Sequence, residues 1–450
     1  MKNSLRIGAL SLSLALWASA SMAAEPGAGK TITILWAKWA PADALQKLCE
    51  DYKTKTGTSV VVDQKPWSDI DTVKNQEFSS RSATYDIIIG DSQWIGQGVT
   101  AGHYLELTDL YKSNAGLFKD VAPAALSFYA EYPKKSGKYY AVPCESDAMA
   151  VAYRKDLFED PKHKEGYKKF VNSLPQDKER PAAEMELTVP KTWSHLLLIA
   201  TYFKRSAGVA DLAGIVMPTV ANYDQAAMSY ETMLWAFGGD WGDQEKMTAT
   251  IGSSQATQAL AFMKQLVDVS SNQGATMDYG DVLTTYTSGR SAMAMTFFAF
   301  FPAFSSTTED KDYAAKTGYF NVPAGPVGRF TALGGQGLSV NAHIDPARQD
   351  AAKEFIKWFS SKDVQTKWAS MGGFTADTAI LKSDAFKKAA PYNPLFEEAF
   401  GMMKDFWNIP RYDQLLSSAQ SNITATLQGK MTPDEAIKTM QAAHDKILKK

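Results

Sequence analysis

Along residues 31–36 (TITILW) apolar and polar positions half alternate and β-branched residues dominate, which predicts a strand. Pro41 and Asp43 then open a helix. Its apolar positions Leu45, Leu48, Cys49 and Tyr52 fall on one face, and Gly57 supplies the left-handed stop. Residues 59–63 repeat the strand pattern and residues 70–80 the helical one. Residues 85–90 (YDIIIG) read as a buried strand followed by an acidic turn. Strand, helix, strand, helix, strand predicts a parallel sheet covered by helices, an α/β fold.

Residues 139–142 form a short β-rich run that Pro143 is expected to end, and residues 149–153 read as a second strand. Glu145 and Asp147 lie between them. The stretch reads as a crossing between two lobes, with both carboxylates facing a cleft. Residues 159–189 are polar and predict a surface excursion before helical sequence resumes at Thr192. A helix through Met233 and Leu234 stops at Gly238 and Gly239. An amphipathic helix follows over 254–269, a short helical piece over 283–287 and a strand over 292–296. The run Phe297 to Phe301 is partly core and partly pocket mouth. Residues 329–340 (RFTALGGQGLSV) predict a return to the first lobe, with glycines that let backbone approach another group. A helix over 351–359 packs through Ala352, Phe355, Ile356 and Phe359. The final helix is announced by Thr432, Pro433 and Glu435: cap, first-turn proline and capping-box acid.

Ahead of all this stands a processing signal. Lys2 and Arg6 precede a short apolar run, and Ser21-Met22-Ala23 suits cleavage, so residues 1–23 read as a removed export leader. No stretch is long enough to span a bilayer. The net charge of −2 gives no electrostatic case for binding nucleic acid or an anionic membrane. Two cysteines without framework spacing specify no disulfide, and Cys49 reads as a buried thiol. The five histidines lack zinc spacing, and no nucleophile elbow occurs. Gly27 to Thr31 is not a phosphate loop, because it lacks the leading glycine and precedes a strand. No cofactor or metal is indicated.

The candidate chemistry lies after the strands. Trp36, Lys38 and Trp39 follow the first, Trp67 and Asp69 the second, Asp91, Gln93 and Trp94 the third. In an open parallel sheet those ends share one edge, so tryptophans beside polar groups mark a binding edge. Carboxylates beside aromatics suit sugars: rings stack on pyranoside faces and acids accept hydroxyl hydrogen bonds.

The chain resembles the extracellular solute-binding proteins of bacterial ABC importers, in the carbohydrate-binding family that includes maltodextrin-binding protein. The segments TITILWAKW, YDIIIGDSQW, YAVPCESDAMAVAYRKDLF, SGRSAMAMTF, GGQGLSVNA and AAKEFIKWF carry the likeness. The resemblance implies a two-lobed α/β fold, each lobe a mainly parallel sheet flanked by helices. The lobes would comprise residues 31–142 with 333–378, and 143–332 with 379–450, joined by a hinge. It implies a non-enzymatic, monomeric periplasmic protein that closes on a carbohydrate. The protein would then deliver it to a membrane permease driven by a separate ATPase. Carried over by position, it implies ligand contacts from Trp36, Lys38, Trp39, Trp67, Asp91, Trp94, Glu145, Asp147, Trp235, Gly334, Gly335, Gln336, Trp407 and Arg411. Trp94 and Trp235 are expected at element ends, so that alanine there weakens binding and spares the fold. Two other readings stay open. A cationic solute such as a polyamine suits acids framed by aromatics, and its affinity would fall with salt. A secreted glycosidase would need a carboxylate pair and turnover.

Overall fold

The computed structural model describes residues 31–175, 180–305 and 313–449. The expected leader, residues 1–23, lies outside them. The strands are β1 (Thr31–Ala37), β2 (Ser59–Lys65), β3 (Ile87–Asp91), β4 (Val142–Arg154), β5 (Gly242–Asp243), β6 (Thr248–Ala249), β7 (Met293–Phe297), β8 (Thr317–Asn321), β9 (Thr331–Val340) and β10 (Met403–Lys404). One sheet has the order β2-β1-β3-β9-β4-β7, with β10 beside β9 and β8 beside β4; β5 and β6 form a separate ribbon. Helices α1 (Ala40–Thr56), α2 (Ile70–Ser80) and α3 (Trp94–Thr100) connect and follow the first three strands.

β1 runs parallel to β2 and β3, as helical crossovers require. β9 runs antiparallel to both β3 and β4, and β7 and β8 run antiparallel to β4. The mainly parallel sheet expected of each lobe therefore describes the β1–β3 edge, and the remaining strands form a mixed sheet.

The pleat divides the core by face. Ile32, Ile34 and Trp36 pack with Leu45, Leu48 and Tyr52 of α1 and with Phe355. Leu35 and Ile88, one step out of phase, pack on the other face with Ile70 and Phe78 of α2. The alternation continues in β4. Ala148, Ala150 and Ala152 join the first layer, Met149 and Val151 the second. Each apolar layer thus runs the width of the sheet.

The two strands expected at 139–142 and 149–153 are one strand, β4, and Pro143 does not end it. The register with β9 skips Cys144, passing from Pro143–Gly337 to Glu145–Gln336. The bulge absorbs the missing proline N–H. β4 pairs with β9 as far as Ala148, then with β7 and β8. β9 behaves likewise: residues 336–340 pair with β3, and Thr331 and Ala332 with β10. Both long strands therefore cross from one half of the molecule to the other. At their midpoints Asp147 and Gly334 are partners in register.

Other expectations meet the structure directly. Gly57 caps α1 at φ 77°. Thr432 and Glu435 form the capping box of the last helix, Pro433–Leu448. The 159–189 excursion holds a helix, Pro161–Ser173, whose Tyr167 ring lies 5.6 Å from Tyr202 of the next helix. Its polar composition reflects only its outer side. Cys49 and Cys144 are buried and unpaired with each other. No helix among the described residues is long and apolar enough to cross a membrane.

Candidate ligand-binding site

A small cavity of about 30 Å³ lies where β4 and β9 cross between the halves. Trp39, Trp67 and Asp91 wall it from the β1–β3 edge. Asp147 and Gly334, Gly335 and Gln336 form its floor. Tyr223, Asp224, Tyr279, Phe297 and Phe300 close it from the other half.

Local structure explains each placement. Trp39 stands at the N-cap of α1, where the chain leaves β1. Trp67 lies in the turn between β2 and α2, and Asp91 ends β3. The floor needs glycine. Gly335 has φ +88°, and a Cβ there would sit 2.3 Å from the Glu145 carbonyl oxygen. A Cβ on Gly334 would meet the Phe297 ring at 2.4 Å. Tyr223 holds a left-handed φ of 55°, uncommon for a bulky side chain, and its neighbour Asp224 precedes the helix Gln225–Ala236.

The rings form a continuous belt. Trp39 and Trp67 meet edge to face at 5.3 Å, and Trp67 meets Tyr223 at 4.9 Å and Tyr279 at 6.0 Å. Tyr279 stacks on Phe300 at 4.9 Å. The belt therefore joins the two halves.

The polar groups are bonded mainly to one another. The Tyr223 hydroxyl donates to Asp91 from across the cavity, and Gln336 Nε2 donates to Asp91 at 2.8 Å. Trp36 Nε1 donates to Gln336 Oε1 and so sets its orientation. Gln93 Nε2 donates to Asp224 at 3.1 Å, and the Tyr279 hydroxyl does so at 3.4 Å. Asp147 accepts from the backbone N–H of Ala148 at 2.8 Å and of Ala299 at 3.3 Å. Two buried wall donors, Trp39 Nε1 and Trp67 Nε1, have no partner among the described residues.

Burial raises every carboxyl here. It pushes Asp91 up to about 7, against the hydrogen bonds from Tyr223 and Gln336. It pushes Asp147 up to about 8, against its backbone donors. Asp224 is raised well above the usual range, by burial and then by the charge of Asp91. Glu145, directly beneath, is raised by burial and by Asp147.

Seven of the expected residues thus line the cavity: Trp39, Trp67, Asp91, Asp147, Gly334, Gly335 and Gln336. Trp36 and Glu145 lie behind it. Trp36 holds Gln336, and Glu145 accepts from the Phe374 N–H at 3.0 Å with its second oxygen unpartnered among the described residues. The other five lie elsewhere. Lys38 is exposed, its backbone tied to Lys65. Trp94 is buried under Gly90 with Lys74 Nζ 4.4 Å from its ring centroid. Trp235 is buried in its helix and donates to Asp240. Trp407 is buried against Gly242. Arg411 is half-buried at the start of the helix Tyr412–Leu427. The three tryptophans are core because an apolar ring near a turn packs inward wherever a layer needs filling.

Tyr223, Asp224 and Tyr279 are missing from the expected set. Each carries the cue used elsewhere, an aromatic beside an acid: Tyr223 with Asp224, and Tyr279 with Asp278. Among the described residues no cluster of His, Cys, Asp and Glu is arranged for a metal.

A family model described as bacterial extracellular solute-binding protein matches residues 37–366. Among curated proteins, the probable amino-acid ABC transporter periplasmic-binding protein y4oP of Sinorhizobium fredii is 20% identical over 431 residues, covering 94% of this chain and 90% of its own. Among solved structures, an ABC transporter solute-binding protein of Agrobacterium radiobacter K84 in complex with ribitol is 23% identical, with a TM-score of 0.79. It covers 94% of this chain and 100% of that one. Maltose-bound MalE3 of T. maritima is 22% identical with a TM-score of 0.77, covering 92% and 99%. These structural likenesses show a shared two-lobed fold.

Proposed function

The chain belongs to the bacterial extracellular solute-binding proteins, and on that premise we propose that it is the exported binding component of an ABC importer for a carbohydrate or related polyol. The cavity carries this reading: an aromatic belt and carboxylates converge where the two long strands cross. The lobes are residues 31–142 with 333–378, and 143–332 with 379–450. The wall residues then divide between them, and closing the lobes encloses the solute. Ribitol in the Agrobacterium radiobacter protein, maltose in the T. maritima protein and D-mannitol in an Agrobacterium vitis relative support the ligand class.

A cavity of about 30 Å³ holds a water or two, whereas small-molecule sites run to about 300 Å³ or more. Entry therefore needs the halves to part. The bonds from Tyr223 to Asp91 and from Gln93 to Asp224 then break, and ligand groups replace them. The protein acts as a monomer outside the cytoplasmic membrane and hands its solute to a permease worked by a separate ATPase. It performs no chemistry on the solute.

The test is a thermal-shift screen of the purified protein against sugars, sugar alcohols and glycosides, with product analysis. A solute bound only by the folded state raises stability by RT ln(1 + [L]/Kd), about 2.7 kcal/mol at a hundredfold excess over Kd. The expected outcome is a shift with one hydroxylated class and unchanged solute. Turnover, or shifts confined to non-hydroxylated solutes, would sink the proposal.

A further inference from the structure

The wall of the cavity is one-sided in charge. Asp91, Asp147 and Asp224 line it, with Glu145 behind, and its lining includes no lysine, arginine or histidine; the buried Lys74, paired with Asp71 at 3.1 Å, lies outside the lining but within electrostatic reach of Asp91. Its donors are also largely committed. Gln336 donates to Asp91 and Tyr279 to Asp224, bonds that stay within one half when the halves part. What the wall offers a solute is then mainly carboxylate lone pairs and ring faces, with two indole N–H groups and, once the halves part, the Tyr223 hydroxyl and the Gln93 amide. A matching solute is rich in donors and carries no anion. A carboxylate or phosphate on it would meet three acids in the lining.

One corner is more specific. Asp91 and Asp224 line the same cavity and are bridged through their chain neighbours: Tyr223, beside Asp224, donates to Asp91, and Gln93, two residues after Asp91, donates to Asp224 at 3.1 Å. Trp67, Tyr223 and Tyr279 surround that corner, with Trp67 4.9 Å from Tyr223 and 6.0 Å from Tyr279. Two acids inside three rings favour an ammonium group, through Coulomb attraction and the negative ring faces. Asp147, Trp39 and Phe300 lie in the rest of the wall and suit a hydroxylated chain or ring. Burial holds the carboxyls near neutrality while no cation is present.

We propose that the solute is a polyhydroxylated amine, an amino sugar or amino polyol, with its ammonium between Asp91 and Asp224 inside the ring of Trp67, Tyr223 and Tyr279. This rests on the carbohydrate reading above and narrows it.

Calorimetric titration of the full protein with matched pairs tests it: sorbitol against 1-amino-1-deoxysorbitol, and glucose against glucosamine and N-acetylglucosamine. The expected result is at least tenfold tighter binding of an amine than of its neutral partner. N-acetylation, which removes the charge, should abolish that advantage. Raising the salt should shrink it. Asp224→Asn should erase the amine preference, while Asp147→Asn should weaken both members of a pair alike. Circular dichroism shows whether each variant folds. Equal or tighter binding of the neutral partner overturns the amine assignment and leaves the carbohydrate reading standing. Binding of putrescine or spermidine in preference to every hydroxylated probe overturns the carbohydrate reading as well. Amine preference retained in a folded Asp224→Asn variant overturns the placement of the ammonium.

Discussion

At the scale of the residue, two tryptophans make opposite predictions. Trp67 is half-buried, and its ring contacts Trp39, Tyr223 and Tyr279 in the cavity belt. Trp67→Ala should weaken solute binding by about 2 kcal/mol or more, the cost of losing an aromatic anchor, with a smaller effect on the fold. Trp235 is buried inside its helix and lines no part of the cavity. Trp235→Ala should destabilise by about 3–5 kcal/mol and leave the affinity of the folded protein unchanged. Urea unfolding and calorimetry on both variants separate the two. A folded Trp235→Ala protein with lost affinity would reverse the assignment. In the sequence these two tryptophans look alike, since each stands near a chain turn. Periodicity records which positions are apolar and not whether the ring fills a core or walls a cavity. The acids are more legible. Asp91 stands at the end of β3, a place that strand topology singles out for ligands, and Asp147, expected in a crossing between two strands, stands in the middle of the single strand β4 that makes it.

At the scale of the element, legibility follows local chemistry. The cap of the last helix, the glycine stop of α1 and the strands β1 to β3 each depend on residues within a few positions, so their signals survive folding. β4 reads as two pieces in the sequence because proline normally ends a strand. Only pairing with β9, which arrives much later in the chain, sets the bulge at Cys144 that accommodates Pro143. The loop carrying Tyr223 and the helix starting at Tyr279 escape a sequence reading because no periodicity directs them to the site. Tertiary packing does so. The most demanding element is the β4–β9 crossing. Gly335→Ala would combine a left-handed φ with a Cβ 2.3 Å from the backbone of β4. A loss of about 2–4 kcal/mol is expected. Gly57→Ala is the control, since Gly57 has φ +77° and no atom within 4 Å of where the added methyl would stand. It should cost only about 1–2 kcal/mol, the conformational part. Equal losses in the two variants, read from denaturant midpoints, would show that the crossing tolerates a side chain.

At the scale of the whole molecule, the buried acids predict an unusual pH profile. Asp91 and Asp147 keep their protons up to about 7 and about 8, against an ordinary 3.8. A carboxyl with a raised folded value contributes stability that is full below its unfolded value and is lost as pH rises through the folded one. His103 and His444, held down to about 4 by burial, act in the opposite sense, but their effect is complete above about pH 6.5. Between about pH 6.5 and 8 the histidines no longer change and the acids lose their protons, so the melting temperature of the solute-free protein should fall. Each retained proton contributes about 1.4 kcal/mol per pH unit until it is released. Asp147→Asn should flatten part of the slope. A melting temperature that is level or rising over this window would contradict the burial of these acids. Because both apolar layers run the width of the sheet, the halves should also melt in one transition. The same continuity bears on biogenesis. β9 lies between β3 and β4 in the sheet yet follows both in the chain. While a nascent polypeptide is still short of residue 340, its sheet lacks its central strand, and the β1–β3 edge has nothing to join it to β4. On the export proposed above, the order of the strands would keep the sheet incomplete until the chain has emerged past residue 340.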